Sequence, residues 1–281
     1  MTQQIKGRLE EAKLGFIGAG SMGGAIIQGL LATGRVAREN LAFYDPDPVR
    51  RAEMESYGLT PALDNPEVMH SQVVVLAVKP QAMAAALAQI KDFARPWHLV
   101  ISIAAGIPLA VLEAALPEAR LVRAMTNTPT LVGAGMAALA AGGRATPDDL
   151  SLCVELFQAV GQAVVVPENL LDAVTGLSGS GPAFVAVFIE ALADGGVKMG
   201  LPRGLALTLA AQTVLGTARL CLEGEHHPGA LKDQVTSPGG TTIEGLHVLE
   251  QGALRGIVMS AVEAATFRAQ ELARGMAGGG G

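Results

Sequence analysis

Two kinds of hydrophobic pattern divide the chain. Up to residue 167, short continuous apolar runs alternate with longer stretches in which apolar residues recur at helical spacing. Such short runs, rich in β-branched residues, are typical of strands buried on both faces of a parallel sheet. They lie at residues 13–17, 41–44, 73–78, 99–103 and 121–125. The alternation of strand and helix predicts an α/β domain with a doubly wound parallel sheet over residues 1–167.

Beyond Pro167 the strand pattern stops. Helical patterns follow at residues 169–175, 182–198, 203–222 and 252–273. The segment 183–189 is apolar on every face, which predicts a helix that is buried all round. Because the few helices of one chain offer too little cover for it, we expect a second copy of the chain to supply the rest. Residues 168–281 are therefore predicted to form an all-helical substrate and dimerisation domain.

Composition narrows the class of protein. Half of the 281 residues are hydrophobic, 16% are charged and the net charge is −6. An acidic chain of this kind is not expected to bind nucleic acid or an anionic membrane. Two cysteines are too few for a disulfide framework, and the polar start of the chain does not resemble a secretory signal. We expect a cytoplasmic protein without a membrane span.

A glycine-rich turn follows the first predicted strand. It reads Gly18-Ala19-Gly20-Ser21-Met22-Gly23, and a helical pattern begins directly after it. In such a G-x-G-x-x-G turn the first two glycines let a pyrophosphate approach the backbone, and the third lets helix and strand pack closely. The sequence therefore predicts a dinucleotide-binding site here.

The end of the second predicted strand gives conflicting signals about that dinucleotide. Asp45, followed by Pro46, lies 22 residues after Gly23, where an acid commonly binds the adenine ribose and repels a 2′-phosphate. Arg50 and Arg51 begin the next helix and are able to bind such a phosphate. The choice between NADH and NADPH stays open on this reasoning.

Three further strand ends lie at the same edge of the predicted sheet, where doubly wound folds bind ligands. Small residues there suit a nicotinamide or a ribose that lies against the backbone, and a lysine there holds a phosphate or caps a surface. We expect these residues to bind the cofactor together with the glycine turn, Asp45 and Pro46. They are Ala77, Val78, Lys79, Pro80, Ala104, Ala105, Gly106 and Asn127.

A polar, glycine-bearing island at residues 232–244 separates two apolar segments of the second half. Thr241 and Glu244 fit a helix start at which a hydroxyl caps a backbone N–H group and a carboxylate reaches back. The preceding Pro238-Gly239-Gly240 forms a tight turn with little side-chain cover. Free N–H groups at a helix start bind a small anion. An ordinary connector between two helices is the alternative.

Over nearly its whole length the chain resembles the Δ1-pyrroline-5-carboxylate reductases, which catalyse the last step of proline synthesis. The fingerprint at the start is shared by many dehydrogenases, whereas the motifs of the second half are specific to this family. The matching stretches are residues 16–23, 77–80, 123–129, 176–183, 227–229, 231–233 and 237–243.

The resemblance implies reduction of a cyclic imine to L-proline by hydride transfer from NADPH or NADH. It also implies a homodimer, with larger rings of dimers in some members. The amides of the loop from Ser237 through Gly239, Gly240 and Thr241 to Thr242 would hold the substrate carboxylate, and the Thr242 hydroxyl would bond the ring nitrogen.

The same resemblance implies roles for three more positions and marks a difference at a fourth. Glu168 and Glu225 would flank the substrate, where their charge favours the iminium or organises a water that delivers the proton. Gln234 falls where the family touches the cofactor of the partner subunit. Asp45 departs from the small polar residue that the family often has at the ribose position.

Two other functions remain open. The β-hydroxyacid dehydrogenases share the nucleotide-binding start, but they need a helical lysine and an asparagine where this chain has Val185 and Ile189. A non-catalytic dinucleotide sensor would need the fingerprint but not the turn at 237–242. No metal is predicted, since His226-His227 lacks a third ligand at metal spacing and is expected to be a surface turn.

Overall fold

Seven strands form one sheet, in the order β2-β1-β3-β4-β5-β6-β7. The computed structural model describes residues 8–224 and 227–278. The strands are β1 (Leu14–Ile17), β2 (Leu41–Tyr44), β3 (Val73–Leu76), β4 (Leu99–Ser102), β5 (Arg120–Met125), β6 (Gly135–Ala141) and β7 (Gly161–Val165). The first five are parallel and match the predicted runs to within two residues at each end.

The two remaining strands were not predicted. β6 runs antiparallel to β5, and β7 pairs parallel with β6. β6 consists largely of alanine, which lacks the β-branched signal on which the other strands were predicted. β7 is one of the two edge strands and is mostly exposed, so it lacks the continuous apolar run of a strand buried on both faces.

Helices cover the sheet of this first part of the chain. They are α1 (Arg8–Glu11), α2 (Ser21–Ala32), α3 (Pro48–Ser56), α4 (Asn65–Val68), α5 (Pro80–Ile90), α6 (Leu109–Ala115), α7 (Pro147–Phe157) and α8 (Leu171–Val174). Short 3-10 turns lie at Arg38–Asn40, Thr128–Val132 and Glu168–Leu170, and a single π-helical turn lies at Thr175–Gly179. Proline is the first residue of α3, α5 and α7, where its missing N–H group has no helical partner to lose.

Successive residues of the central strands feed two separate cores. Phe16 and Val75 belong to one hydrophobic cluster, whereas Ile17 and Leu76 belong to the other. All four are fully buried, and each contributes about 1.5–3 kcal/mol relative to an exposed position. The two cores hold the sheet rigidly, and with it the loops that leave the carboxyl ends of its strands.

The second part of the chain is entirely helical. It contains α9 (Gly181–Lys198), α10 (Arg203–Glu223), α11 (Pro228–Gln234), α12 (Thr241–Gln251) and α13 (Leu254–Gly278). By its contacts the chain separates into two compact units, one of residues up to Gly179 together with those from Ala264 onward, and one of Ser180–Glu263. The predicted domain boundary between residues 167 and 168 stays a prediction.

The sequence predicted a helix at residues 183–189 that is buried all round, with part of the cover from a second copy. Within one chain, helix α9 is mostly exposed. Ala193 is its only buried residue, while Val187 and Phe188 are 66% and 40% exposed. Apolar surface of this extent marks an interface. Residues 168–198 and 203–223 are also long and apolar enough, by length and composition, to cross a bilayer. The single chain therefore leaves most of the apolar surface of α9 uncovered.

Candidate active site

The glycine turn after β1 has the geometry that a pyrophosphate needs. Gly18 has φ +95°, and a Cβ added there would lie 2.7 Å from the Ala77 carbonyl oxygen. A Cβ at Gly23 would lie 2.5 Å from the Gly18 carbonyl oxygen. A Cβ at Gly20 would meet nothing within 4 Å. Two glycines are therefore required by the fold itself, while Gly20 keeps a surface clear for a ligand.

Helix α2 begins directly at this clear surface. Its N-cap is Gly20, and no side chain caps its N–H groups. The first N–H groups of a helix have no intrahelical partner, and the helix dipole adds partial positive charge at this end. Ser21, Met22 and Gly23 thus present backbone donors where an anion can approach. The residues present fit the pyrophosphate of a dinucleotide.

Asp45 is bound to the same turn. Its Oδ2 atom accepts a hydrogen bond of 2.7 Å from the backbone N–H of Ala19, and Oδ1 accepts one of 2.9 Å from Asp47. Only 8% of the residue is exposed. The next residue, Pro46, offers its carbonyl oxygen to Arg51 at 3.0 Å. The predicted ribose-binding acid is thus held at the rim of the glycine turn.

The loops after β3 and β4 lie beside this turn. The N–H of Ala77 donates to the Ile17 carbonyl at 2.8 Å, and the N–H of Ile103 donates to the Leu76 carbonyl at 3.1 Å. Lys79 is the N-cap of α5 and its side chain caps no N–H group. The structure therefore gathers the predicted residues 77–80 and 104–106 at one sheet edge with the glycine turn and Asp45.

Asn127 differs from the other predicted cofactor residues because its amide is already engaged. Its Nδ2 atom donates to the carbonyl oxygen and the hydroxyl of Ser178, at 3.2 and 3.1 Å. Its Oδ1 atom accepts from the N–H of Met136 at 2.9 Å. Asn127 thereby fastens the π-helical turn to the start of β6. Its role toward a cofactor stays a prediction.

The side chain of Glu168 also accepts hydrogen bonds from residues of the first unit. Its Oε1 atom accepts a hydrogen bond of 2.7 Å from the N–H of Leu109, the first residue of α6. The same atom accepts one of 3.0 Å from Nη1 of Arg123, which is buried on β5. Nη2 of Arg123 lies 4.0 Å from Asp172. Glu168 therefore caps a helix 59 residues earlier in the chain and balances a buried charge.

In the helical unit, the predicted substrate turn leads into α12. Gly239 has φ +66°, a region that favours glycine, and the N–H of Gly240 donates to the Ser237 carbonyl at 3.1 Å. The capping box predicted for Thr241 and Glu244 is wrong. Gly240 is the N-cap, no side chain caps the helix, and Thr241 is already the first helical residue.

The missing side-chain cap leaves the start of α12 open to an anion. A hydroxyl that capped the helix would occupy one of its leading N–H groups. Without such a cap, the amides of Thr241 and Thr242 at the start of an 11-residue helix are available to a ligand. The Thr242 side chain lies on the same first turn as these amides.

Two predicted positions near α11 complete the site residues. Gln234 is the last residue of α11 and is exposed. Glu225, the predicted catalytic acid, lies outside the described residues, as does His226. His227 accepts a hydrogen bond of 3.0 Å from the N–H of Gly229 and so caps α11.

Within residues 8–224 and 227–278, no group of three or more His, Cys, Asp or Glu side chains is gathered that could hold a metal ion.

Sequence reasoning missed the partners of two site residues. Arg123 was assigned no role, although an arginine inside an apolar strand run is a signal that it has a buried acidic partner. Ser178 carried no such signal, because serine is common in turns whether or not its hydroxyl is bonded. Both partners lie far from their site residues in sequence.

Comparison with known proteins agrees with this geometry. The family model described as pyrroline-5-carboxylate reductase dimerisation matches residues 168–272, and the one described as NADP oxidoreductase, coenzyme F420-dependent, matches residues 13–106. A pyrroline-5-carboxylate reductase of Methanosarcina acetivorans is 49% identical over 95% of this chain and all of its own length. The one of Synechocystis sp. is 50% identical over 93% of this chain and 98% of its own.

Solved structures give the same result. The pyrroline-5-carboxylate reductase from Coxiella burnetii has a TM-score of 0.88 and 37% identity, over 93% of this chain and 98% of its own. The Plasmodium falciparum pyrroline carboxylate reductase, solved with NADP bound, has a TM-score of 0.84 and 34% identity, over 94% of this chain and 99% of its own. The Rossmann-type sheet and the helical dimerisation domain are thus both confirmed. The chain belongs to the pyrroline-5-carboxylate reductase family, whose members are NAD(P)H-dependent oxidoreductases.

Proposed function

We propose that this chain reduces Δ1-pyrroline-5-carboxylate to L-proline with NAD(P)H, and that the turn at residues 237–242 anchors the substrate. The observation that carries the proposal is the uncapped start of α12 behind Gly239 and Gly240. A small carboxylate fits such a helix start. Full-length similarity to reductases of this name supports the activity.

The cofactor, when bound, supplies a hydride to the carbon of the C=N bond. The residues proposed to hold it are those gathered at the edge of the sheet. The glycine turn binds the pyrophosphate, Asp45 and Pro46 lie at the adenine ribose, and Lys79 offers a cation. Ala105 and Gly106 leave a surface of small residues for the nicotinamide half, while Ala104 is only 5% exposed and packs into the core beneath them. Asn127 and Gln234 remain proposed cofactor residues.

The protein binds and orients the imine rather than attacking it. The amides of Thr241 and Thr242 and the side chain of Ser237 hold the carboxylate, and the Thr242 hydroxyl bonds the ring nitrogen. A protonated imine is already electrophilic, so orientation supplies much of the remaining rate acceleration. No strong base and no covalent intermediate enters this mechanism.

Two acids are proposed to act on the proton. Glu225 is the proposed catalytic acid, and Glu168 is proposed to add negative charge beside the substrate. Both hydrogen bonds that Glu168 accepts use its Oε1 atom. Its Oε2 atom makes none within the part of the chain that the structure describes. That oxygen is free to orient a water, and the negative charge of the acids favours the protonated imine.

The chain acts as a homo-oligomer on a small-molecule substrate. The family's dimerisation model covers α9 to α12 and most of α13, including the exposed apolar residues Val187 and Phe188. We propose that a second copy rather than a lipid bilayer covers them, that the dimer is the smallest active form, and that dimers assemble into rings. We also propose a cytoplasmic location. A solution mass equal to one chain at micromolar concentration would contradict the dimer.

The activity is tested with the purified full-length chain. Pyrroline-5-carboxylate and either NADH or NADPH should give L-proline in step with the loss of absorbance of the reduced cofactor. The parallel substrate Δ1-pyrroline lacks the carboxylate, so its KM should be much higher while it stays reducible. No proline with either cofactor would refute the activity. Equal KM values for the two imines would refute the carboxylate anchor alone.

A further inference from the structure

Asp45 places a negative charge beside the glycine turn. It follows β2 directly, and β2 pairs with β1 so that Tyr44 lies opposite Ile17. The hydrogen bond of its Oδ2 atom to the Ala19 N–H, 2.7 Å long, fixes the carboxylate against the turn itself. When the pyrophosphate lies on this turn, the adenine ribose is the next group of the cofactor, at the end of β2.

In the described part of the chain, the carboxylate of Asp45 is hydrogen-bonded to the backbone and makes no direct ion pair. Its two oxygens accept from the backbone N–H groups of Ala19 and Asp47. Among the described residues, no nitrogen of a lysine, arginine or histidine lies within salt-bridge distance of it. A carboxylate has about four acceptor positions, so about two remain for ribose hydroxyls. A 2′-phosphate in the same place would meet a fixed charge of its own sign.

The two arginines that could bind a 2′-phosphate are engaged elsewhere. Nη1 of Arg50 pairs with Glu53 at 2.8 Å, one turn further along α3. Nη1 of Arg51 donates to the carbonyl oxygens of Asp45 and Pro46, at 2.9 and 3.0 Å. These bonds hold Arg51 on the main chain of the loop. A 2′-phosphate would have to compete with these contacts for the two guanidinium groups, whereas NADH leaves them intact.

We infer that Asp45 makes this enzyme select NADH over NADPH, with Arg51 bracing the loop that carries it rather than binding phosphate. The inference rests on the proposed dinucleotide site and adds its specificity. The enzyme binds NADH at least tenfold more tightly than NADPH, because like charges held together at a site weaken binding by such factors.

Equilibrium binding tests this inference without turnover. NADH and NADPH are each titrated into the full-length wild-type protein, and the fluorescence of the reduced nicotinamide gives both dissociation constants. The same titrations are made with Asp45→Asn and Asp45→Ser, which remove the charge and keep a hydrogen-bonding side chain. In both variants NADH binding should weaken and NADPH binding should tighten, so that the ratio of the constants changes by tenfold or more.

Asp47→Asn is the matched control. It removes a carboxylate two positions away, and asparagine caps the start of α3 as well as aspartate does. This control should leave the ratio within about twofold of wild type. A wild-type protein that binds NADPH as tightly as NADH overturns the inference, whatever the variants do. An unchanged ratio in folded Asp45→Asn overturns it as well.

The binding test of cofactor selection and the activity test of the proposed function can fail independently. If the wild-type protein reduces pyrroline-5-carboxylate but prefers NADPH, the specificity assigned to Asp45 is wrong and the activity stands. If it binds NADH more tightly but reduces no imine, the activity is wrong and the cofactor selection stands. If neither cofactor binds, both are wrong.

Discussion

The guanidinium of Arg123 is bound to the carboxylate of Glu168 at 3.0 Å, and Arg123 itself is only 5% exposed. A buried guanidinium needs an opposite charge, because water cannot solvate it. The same carboxylate oxygen holds the N–H of Leu109, so one acid ties β5 to the start of α6. A residue that the family resemblance places beside the substrate thus also holds the scaffold together.

Glu168→Gln should destabilise the protein. Glutamine keeps an acceptor for the Leu109 N–H but removes the charge that balances Arg123. Because the Glu168 side chain is 34% exposed, the expected loss is about 1–3 kcal/mol, below the value for a fully buried pair. Urea unfolding monitored by circular dichroism measures it. Asp172→Asn is the control and should cost less, since Asp172 lies 4.0 Å from Arg123. Equal stability of Glu168→Gln and wild type would mean that water already screens the pair.

Thr242→Val should lower kcat by about tenfold to a thousandfold, the range for losing one positioned hydrogen bond at a reacting centre. Valine keeps the shape of threonine, so the fold and the dimer should persist. The matched control is Thr241→Val, which makes the same change one residue earlier on the same turn of α12. Initial rates at saturating cofactor and imine give kcat for both. Similar rates in the two variants would remove the Thr242 hydroxyl from the mechanism.

Gly20→Val should lower mainly the affinity for the cofactor, whereas Gly23→Val should also lower the stability of the fold. A Cβ at Gly20 meets no protein atom within 4 Å, so Gly20→Val should lower the melting temperature by only the small cost of a poorer N-cap and weaken cofactor binding by at least tenfold. A Cβ at Gly23 lies 2.5 Å from the Gly18 carbonyl oxygen, so Gly23→Val should lower stability as well. Thermal melts and NADH titrations separate the two effects. Normal cofactor affinity in Gly20→Val would place the pyrophosphate elsewhere.

Acid should weaken the fold through His98. Burial lowers the pKa of His98 below 6.5, and the hydrogen bond with the Met69 carbonyl opposes this only in part. Its Nδ1 atom accepts the N–H of Arg95 at 2.9 Å, a bond that protonation breaks. Because the unfolded chain then binds the proton more readily, the stabilisation is complete above pH 6.5 and is lost as the pH falls through the lowered pKa.

For a single proton the slope of this effect is at most about 1.4 kcal/mol per pH unit. Urea unfolding of wild type and of His98→Gln between pH 5 and pH 8 measures it. The variant should be less stable at neutral pH and should show a flatter profile below pH 6.5. His70→Gln removes an exposed histidine and serves as the control. The same slope in His98→Gln as in wild type would assign the acid sensitivity to another group.

The pattern of the sequence predicted β1 to β5 because each is an apolar run buried on both faces. It did not predict β6 and β7, since an alanine-rich strand and an exposed edge strand lack that run. The glycine turn could be predicted because its spacing between a strand and a helix is a recurrent pattern, although the contact of Gly18 with Ala77 is long-range. The cap of α12 was misplaced by one residue because glycine and threonine both begin helices. Contacts such as that of Arg123 with Glu168 depend on the folded topology, which the sequence pattern does not contain.

The exposed apolar helices have a consequence for the life of the chain in a cell. In the proposed dimer, each newly made copy exposes apolar residues such as Leu222, which is 82% exposed in the single chain, until it assembles. Assembly of two copies is a second-order process, so its half-time lengthens as the protein concentration falls. Chaperones and proteases meanwhile compete for the same apolar surface. A cell that makes little of this enzyme therefore also loses a larger fraction of it to degradation before assembly.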